Sequence, residues 1–198
     1  MRFPSRCRHK RPSPTSRYFP PPFPLFPLPS SHPLTPLLAQ GELTLVLRTP
    51  IKNITPASAP SHILGYTIGN DLTARTFQRS CGGQYTYAKG FDRFAPLGPR
   101  LVHPSVFSPT ALGARITTKV NGRTVQDSEF DFIFEMNGLL SFLSQGTTIP
   151  AGTAIMTGTP AGVGWFQSPK CELKEGDVVE VEVKPIGVLR TRIAFEKE

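Results

Sequence analysis

From Gly41 onward the chain alternates. Leu43, Leu45 and Leu47 take every second position, with Thr44, Val46 and Arg48 between them. That two-residue period predicts a β-strand. Pro50 to Ser61 is a polar, proline-punctuated connection. Tyr66–Ile68 predicts a strand leading to Asp71, and Leu72–Gln78 a short helix. Arg115–Val120 and Arg123–Gln126 flank Asn121-Gly122, the dipeptide that most favours a two-residue hairpin turn. Met136, Leu139, Leu140 and Leu143 recur at helical spacing, and Gly146 closes that helix. Ala154–Met156 predicts a strand running into a glycine loop, Val178–Val183 alternates strictly, and Val188–Phe195 gives a last strand after Gly187. Many strands, two short helices and frequent turns define a mostly β chain with short helices (α+β), closed as a barrel or rolled sheet.

Before Gly41 this patterning is absent. Residues 1–40 hold 11 of the 22 prolines, six Arg or Lys and no acidic residue. Such a segment cannot build a core and is expected to be disordered or extended polyproline II, which divides the chain into a tail, 1–40, and a domain, 41–198. Three readings of the tail stand side by side. It has the composition of a proline-rich ligand segment. It is Arg-rich and acid-free like a transit peptide, although prolines oppose the helix such peptides form. And every residue from Phe19 to Ser31 is Phe, Pro, Leu or Ser, the residues of all-pyrimidine codons, as a translated intron ahead of a splice acceptor would read, with Gln40 at the change in composition.

The split also redistributes charge. The net +8 belongs mostly to the tail, because residues 41–198 hold 16 basic and 14 acidic side chains. No nucleic-acid module accompanies the basicity. No apolar run approaches the ~20 residues of a membrane span. Cys7, Cys81 and Cys171 are scattered and in no metal spacing, as expected of free thiols in a reducing compartment, cytoplasmic or mitochondrial.

Candidate chemistry gathers in two stretches. Gly65–Gln78 places a carboxylate, a guanidinium and an amide (Asp71, Arg75 and Gln78) within two helical turns. Thr157–Gly164 is a small-residue loop whose backbone N–H groups could cradle an anion. Asp71 and Glu42 together could supply hard oxygen ligands for Mg²⁺ or Mn²⁺. Lys89, among aromatic and small residues, could face a charged ligand. Each signal has a plainer counterpart. Asp71 could cap the helix after it or pair with Arg75 on the surface. Glu42 could be solvated, Lys89 could lie along the surface, and the glycine loop could be an ordinary turn. Asp127 and Ser128 could support a site or cap a strand. The loop is not a Walker motif, since no Gly-Lys-Ser/Thr follows.

Taken in order, these segments resemble the fumarylacetoacetate hydrolase family, in particular its small single-domain acylpyruvases and oxaloacetate tautomerases. The matching pieces run from Gly41-Glu42-Leu43 through Gly65–Gln78, Ala88–Asp92, Pro96–Pro99, Val120–Gly122, Gln126–Ser128, Leu143–Gly146 and Thr157–Gly164 to Gly176–Val179. The resemblance implies a mixed β-roll or barrel and a homodimer. It also implies a divalent metal, usually Mg²⁺ or Mn²⁺, on Glu42 and Asp71. It gives Lys89 and Gln78 catalytic roles and Arg75 and Thr159 substrate contacts. The substrate class it implies is a small 2-oxo or 1,3-diketo acid, processed by acylpyruvate C–C hydrolysis or by keto–enol tautomerisation of oxaloacetate through an enolate stabilised by metal and Lys89.

The chain departs from the family in two places. The first Glu of the Glu-x-Glu metal motif is Gln40, which keeps a carbonyl oxygen but brings no charge. The upstream His-x-x-Glu pair of the family's lid is not present, since His32 is followed three residues later by Thr35. Those departures raise the alternative of an impaired family member with a binding role.

Overall fold

The computed structural model describes residues 36–195; the disordered or polyproline II state expected of the proline-rich segment falls almost wholly on residues 1–35, outside them. Two antiparallel four-stranded sheets carry the fold. The first has the order β5 (Leu97–Val102), β3 (Ile63–Asn70), β2 (Gly41–Leu47), β8 (Ala154–Met156). The second has the order β10 (Gly187–Arg192), β9 (Val178–Val183), β6 (Arg115–Val120), β7 (Arg123–Glu129). This is the mostly β, rolled architecture that the alternation predicts.

The sheets pack through the faces their sequences make apolar. Leu43, Leu45 and Leu47 from β2 and Val179, Val181 and Val183 from β9 are buried in one core with Ile68 and Ile116. Along β9 every second residue is buried, as a period of two requires. Gly41 packs tightly against side chains of the second sheet: a Cβ there would collide with Thr118 Oγ1 and Val181 Cγ1, so only glycine fits. Between β6 and β7, Asn121 and Gly122 take φ of 50° and 79°, the left-handed pair that the Asn-Gly turn demands.

Several expectations change at the level of elements. Residues 37–40, grouped by composition with the tail, belong to the folded unit. Leu37 and Leu38 form a short strand, β1, paired with β4 (Thr73–Ala74), and both leucines are buried. That pairing keeps residues 73–74 extended, so the helix predicted from Leu72 begins at Arg75 and runs to Ser80 as α1. A one-turn helix, α2 (Tyr85–Lys89), and the edge strand β5 are additional. Helix α3 occupies Met136–Leu143 as predicted.

Leu45 is 0% exposed at the centre of the core. Leu45→Ala is expected to lower the unfolding free energy by about 3 kcal/mol, measured by urea denaturation; a loss below about 1 kcal/mol would contradict this core assignment.

Candidate active site

Strand pairing assembles the site. In the β2–β3 ladder Glu42 lies opposite Gly69, and the Asp71 N–H donates to the Gln40 carbonyl at 2.8 Å just beyond it. Positions 40 and 42 share one face of the chain by alternation, and 69 and 71 the matching face of its neighbour. Gly69 leaves room there, since a Cβ on it would stand 2.6 Å from both Thr44 Oγ1 and Met156 Cε. Glu42 and Asp71 are therefore neighbours, 4% and 7% exposed.

Lys89, at the end of α2, places its ammonium on Asp71 Oδ2 as an ion pair. It also stands 5.8 Å from the centroid of the Tyr85 ring. Glu42 receives the Gly158 N–H on Oε2 at 2.9 Å. Gly158 holds φ of 94°, a left-handed conformation that glycine adopts without strain. Burial first, and then the charge of Asp71, push the Glu42 carboxyl up from 4.5 to about 7. The Gly158 N–H and Lys89 pull it down by less, and hydrogen bonding to Asp71 adds to the rise.

Helix α1 forms a second group. Arg75 Nη1 donates to Gln78 Oε1 at 2.5 Å, one turn apart, and Gln78 is buried. The two line a recess with Arg79, Gly83 and Phe166. Asp71 is not on that helical face. It neither caps α1, whose N-cap is Ala74, nor pairs with Arg75; its ionic partner is Lys89. Thr159 belongs to a third element, the loop after β8. Its hydroxyl donates to the Gly41 carbonyl at 2.9 Å and accepts from Gln126 Nε2 at 2.8 Å. Residues 157–160 also line a cleft of about 200 Å³ walled by Phe130, Phe132 and Leu139.

Two residues differ from expectation. Asp127 faces solvent, where its ion pair with Arg115 at 2.6 Å holds its carboxyl below the usual range. Ser128 donates to the carbonyl of Glu129. Their neighbour Gln126 is the residue of that strand that reaches the site loop, and alternation along β7 is the signal that points it inward when Asp127 points out.

Among the described residues no cluster of three His, Cys, Asp or Glu side chains forms a metal site. The oxygens present nonetheless suit a hard divalent cation. Glu42 and Asp71 are buried carboxylates whose mutual repulsion a cation would relieve. The Gln40 amide nitrogen donates to Thr73 Oγ1 at 2.6 Å and to the Asp71 carbonyl at 3.2 Å, leaving its oxygen as a neutral donor.

With fold and site in place, comparison with known proteins is direct. Residues 26–194 match the profile of the fumarylacetoacetate (FAA) hydrolase C-terminal family, and the chain belongs to that family. An uncharacterised protein of Archaeoglobus fulgidus is 47% identical over 161 residues, 80% of this chain and 60% of its own length. The oxaloacetate tautomerase YisK of Bacillus subtilis is 40% identical over 156 residues, 78% of this chain and 51% of that protein. A mitochondrial oxaloacetate tautomerase of Xenopus laevis is 40% identical over 153 residues, covering 76% and 47%. Among solved structures, 5-carboxymethyl-2-hydroxymuconate delta-isomerase from Mycobacterium smegmatis superposes with a TM-score of 0.74 at 36% identity, over 83% of this chain and 61% of that one. The chain spans about half to three fifths of the length of these relatives. Among the described residues no helix is long and apolar enough to cross a membrane.

The raised Glu42 carboxyl sets a pH dependence for the metal-free chain. Below pH 4.5 Glu42 is protonated folded and unfolded, and the fold carries no penalty. Between 4.5 and about 7 the unfolded chain ionises first, so stability falls as pH rises and levels off above 7. The expected loss is up to roughly 3 kcal/mol. In chelator, urea denaturation from pH 4.5 to 8 should show this decline relative to Glu42→Gln; parallel profiles for the two proteins would contradict it.

Proposed function

We propose that this chain carries a divalent-metal-dependent hydrolase or tautomerase site for small 2-oxo or 1,3-diketo acids, with oxaloacetate keto–enol tautomerisation as its reaction. The observation behind this reading is the convergence of two buried carboxylates and an ammonium at Glu42, Asp71 and Lys89. The choice of oxaloacetate rests on the names of the Bacillus and Xenopus relatives.

Glu42 and Asp71 would hold Mg²⁺ or Mn²⁺, with Gln40 as a neutral third oxygen. When bound, the ion supplies electrophilic stabilisation of charge developing on a keto oxygen. Lys89 brings a second positive charge to the same corner, so a proton leaving the carbon beside the keto group leaves its electron pair in a field that favours it. Gln78 offers an amide for the same oxygen. Arg75, held by Gln78, is suited to a substrate carboxylate, and the Thr159 loop offers backbone N–H groups to the other end. The same group set serves C–C hydrolysis of an acylpyruvate when a water is activated. A homodimer and a cytoplasmic or mitochondrial location are part of the proposal. Ile133, Phe134 and Phe142 are among the exposed apolar side chains a subunit contact could use.

A second reading has its own observation. Gln40 is uncharged and spends its amide nitrogen on Thr73 and Asp71, so the site has one carboxylate fewer than the family motif. On this reading the chain binds oxo-acids without turning them over.

Ultraviolet assay of oxaloacetate tautomerisation with Mn²⁺ separates the two. Turnover that falls about 100-fold in Lys89→Met supports the enzyme; no turnover by the wild-type chain supports the impaired site. Gln40→Glu is expected to tighten Mn²⁺ binding at least about tenfold, since it adds a charge to the ligand set. Unchanged affinity would show that residue 40 is no ligand.

A further inference from the structure

The geometry points to Gln126 as the positioning residue of the site loop, tying the Thr159–Pro160 segment to the strand that carries Glu42. Gln126 is 2% exposed and reaches the site from β7 in the opposite sheet. Both ends of its amide are engaged. Oε1 accepts the Gly41 N–H at 3.1 Å. Nε2 donates to Thr159 Oγ1 at 2.8 Å and to the Pro160 carbonyl at 3.1 Å.

This arrangement fixes the direction of the Thr159 hydroxyl. Nε2 can only donate, so Thr159 Oγ1 accepts there and its own proton goes to the Gly41 carbonyl. Thr159 and Gln126 thus bind the two polar groups of Gly41, the residue before Glu42. Only an amide fits. A carboxylate would set acceptors against Oγ1 and the Pro160 carbonyl, and an apolar side chain would leave the buried Gly41 N–H without a partner. The loop closes on the strand from a second side as well. Gly162, with φ of 101°, packs so tightly on the Gln126 backbone and the Val125 carbonyl that a Cβ would stand 2.5 Å from that oxygen. Gly158, in the same loop, is the donor to Glu42. Gln126 therefore sets where the loop stands relative to Glu42 and acts on a substrate through the loop, without touching it.

The inference uses the proposed oxo-acid reaction only for its kinetic consequence, so the test has two separate readouts. Amide hydrogen exchange of the full chain needs no substrate. Gln126→Met, isosteric and apolar, is expected to speed exchange of the Gly41, Gly158, Thr159, Ala161 and Gly162 amides by at least roughly tenfold, since even one lost buried hydrogen bond is worth about that factor. The β9–β10 amides should keep wild-type rates. Unchanged loop exchange, or equal acceleration across both sheets, overturns the positioning role. If the variant fails to fold, Gln126→Glu is measured in its place, with the same pattern expected and the same result overturning it.

The kinetic readout uses oxaloacetate with saturating Mn²⁺. A KM raised about tenfold with kcat within about threefold supports loop positioning. An equal fall in kcat and kcat/KM with KM unchanged overturns it. An inactive wild-type chain would remove the proposed reaction and leave the exchange result to decide this inference.

Discussion

Glu42 and Asp71 are held side by side at the end of one β-ladder, both almost wholly out of solvent. Two like charges in such a place repel, and burial makes each costlier to ionise. The fold answers with a small set of contacts: Lys89 on Asp71, the Gly158 N–H on Glu42, and a Glu42 carboxyl raised to about 7. The proposed divalent cation would relieve that repulsion on the same two carboxylates. Glycine at 69 makes room for the Thr44 and Met156 side chains on that ladder, and the Gly158 N–H donates to Glu42.

The surrounding architecture exists to hold that corner still. Strands β2 and β3 carry the two carboxylates. The second sheet packs on the opposite face of β2 and sends Gln126 back through to the loop. The short β1–β4 pairing fixes residues 73–74 in extended form, so the helix opens only at Arg75, and Asp71, ahead of that pair, meets Lys89. Local elements of one or two turns are thereby placed by contacts between distant parts of the chain, which is how a site of several residues is pre-organised on a rigid scaffold.

The same division explains what the sequence makes legible. Alternation over Gly41–Leu47 and Val178–Val183, the Asn121-Gly122 turn and the helical spacing of Met136–Leu143 are local signals, and each appears in the fold as read. Strand β5 is an edge strand broken by Gly98 and Pro99 and largely exposed, so no alternation marks it. Helix α2 has five residues, too few for a period. The start of α1 depends on a pairing 37 residues away, Leu37 with Ala74, which no window around Leu72 contains. Of the candidate residues, Glu42, Asp71 and Lys89 lie together, while Arg75 and Gln78 pair on α1 and Thr159 stands on the loop beside Gly41. The joining of Thr159 to Gly41 through Gln126 does not show in composition or period, because it crosses from one sheet to the other.

The proposed function rests on a divalent cation held by Glu42 and Asp71. Electron paramagnetic resonance titration of the full chain with Mn²⁺ at pH 8, where Glu42 is ionised, tests it most directly. The account predicts one saturable site in the wild-type chain that is lost in Asp71→Asn. Mn²⁺ binding of equal strength in both proteins, or none in the wild-type chain, would contradict it.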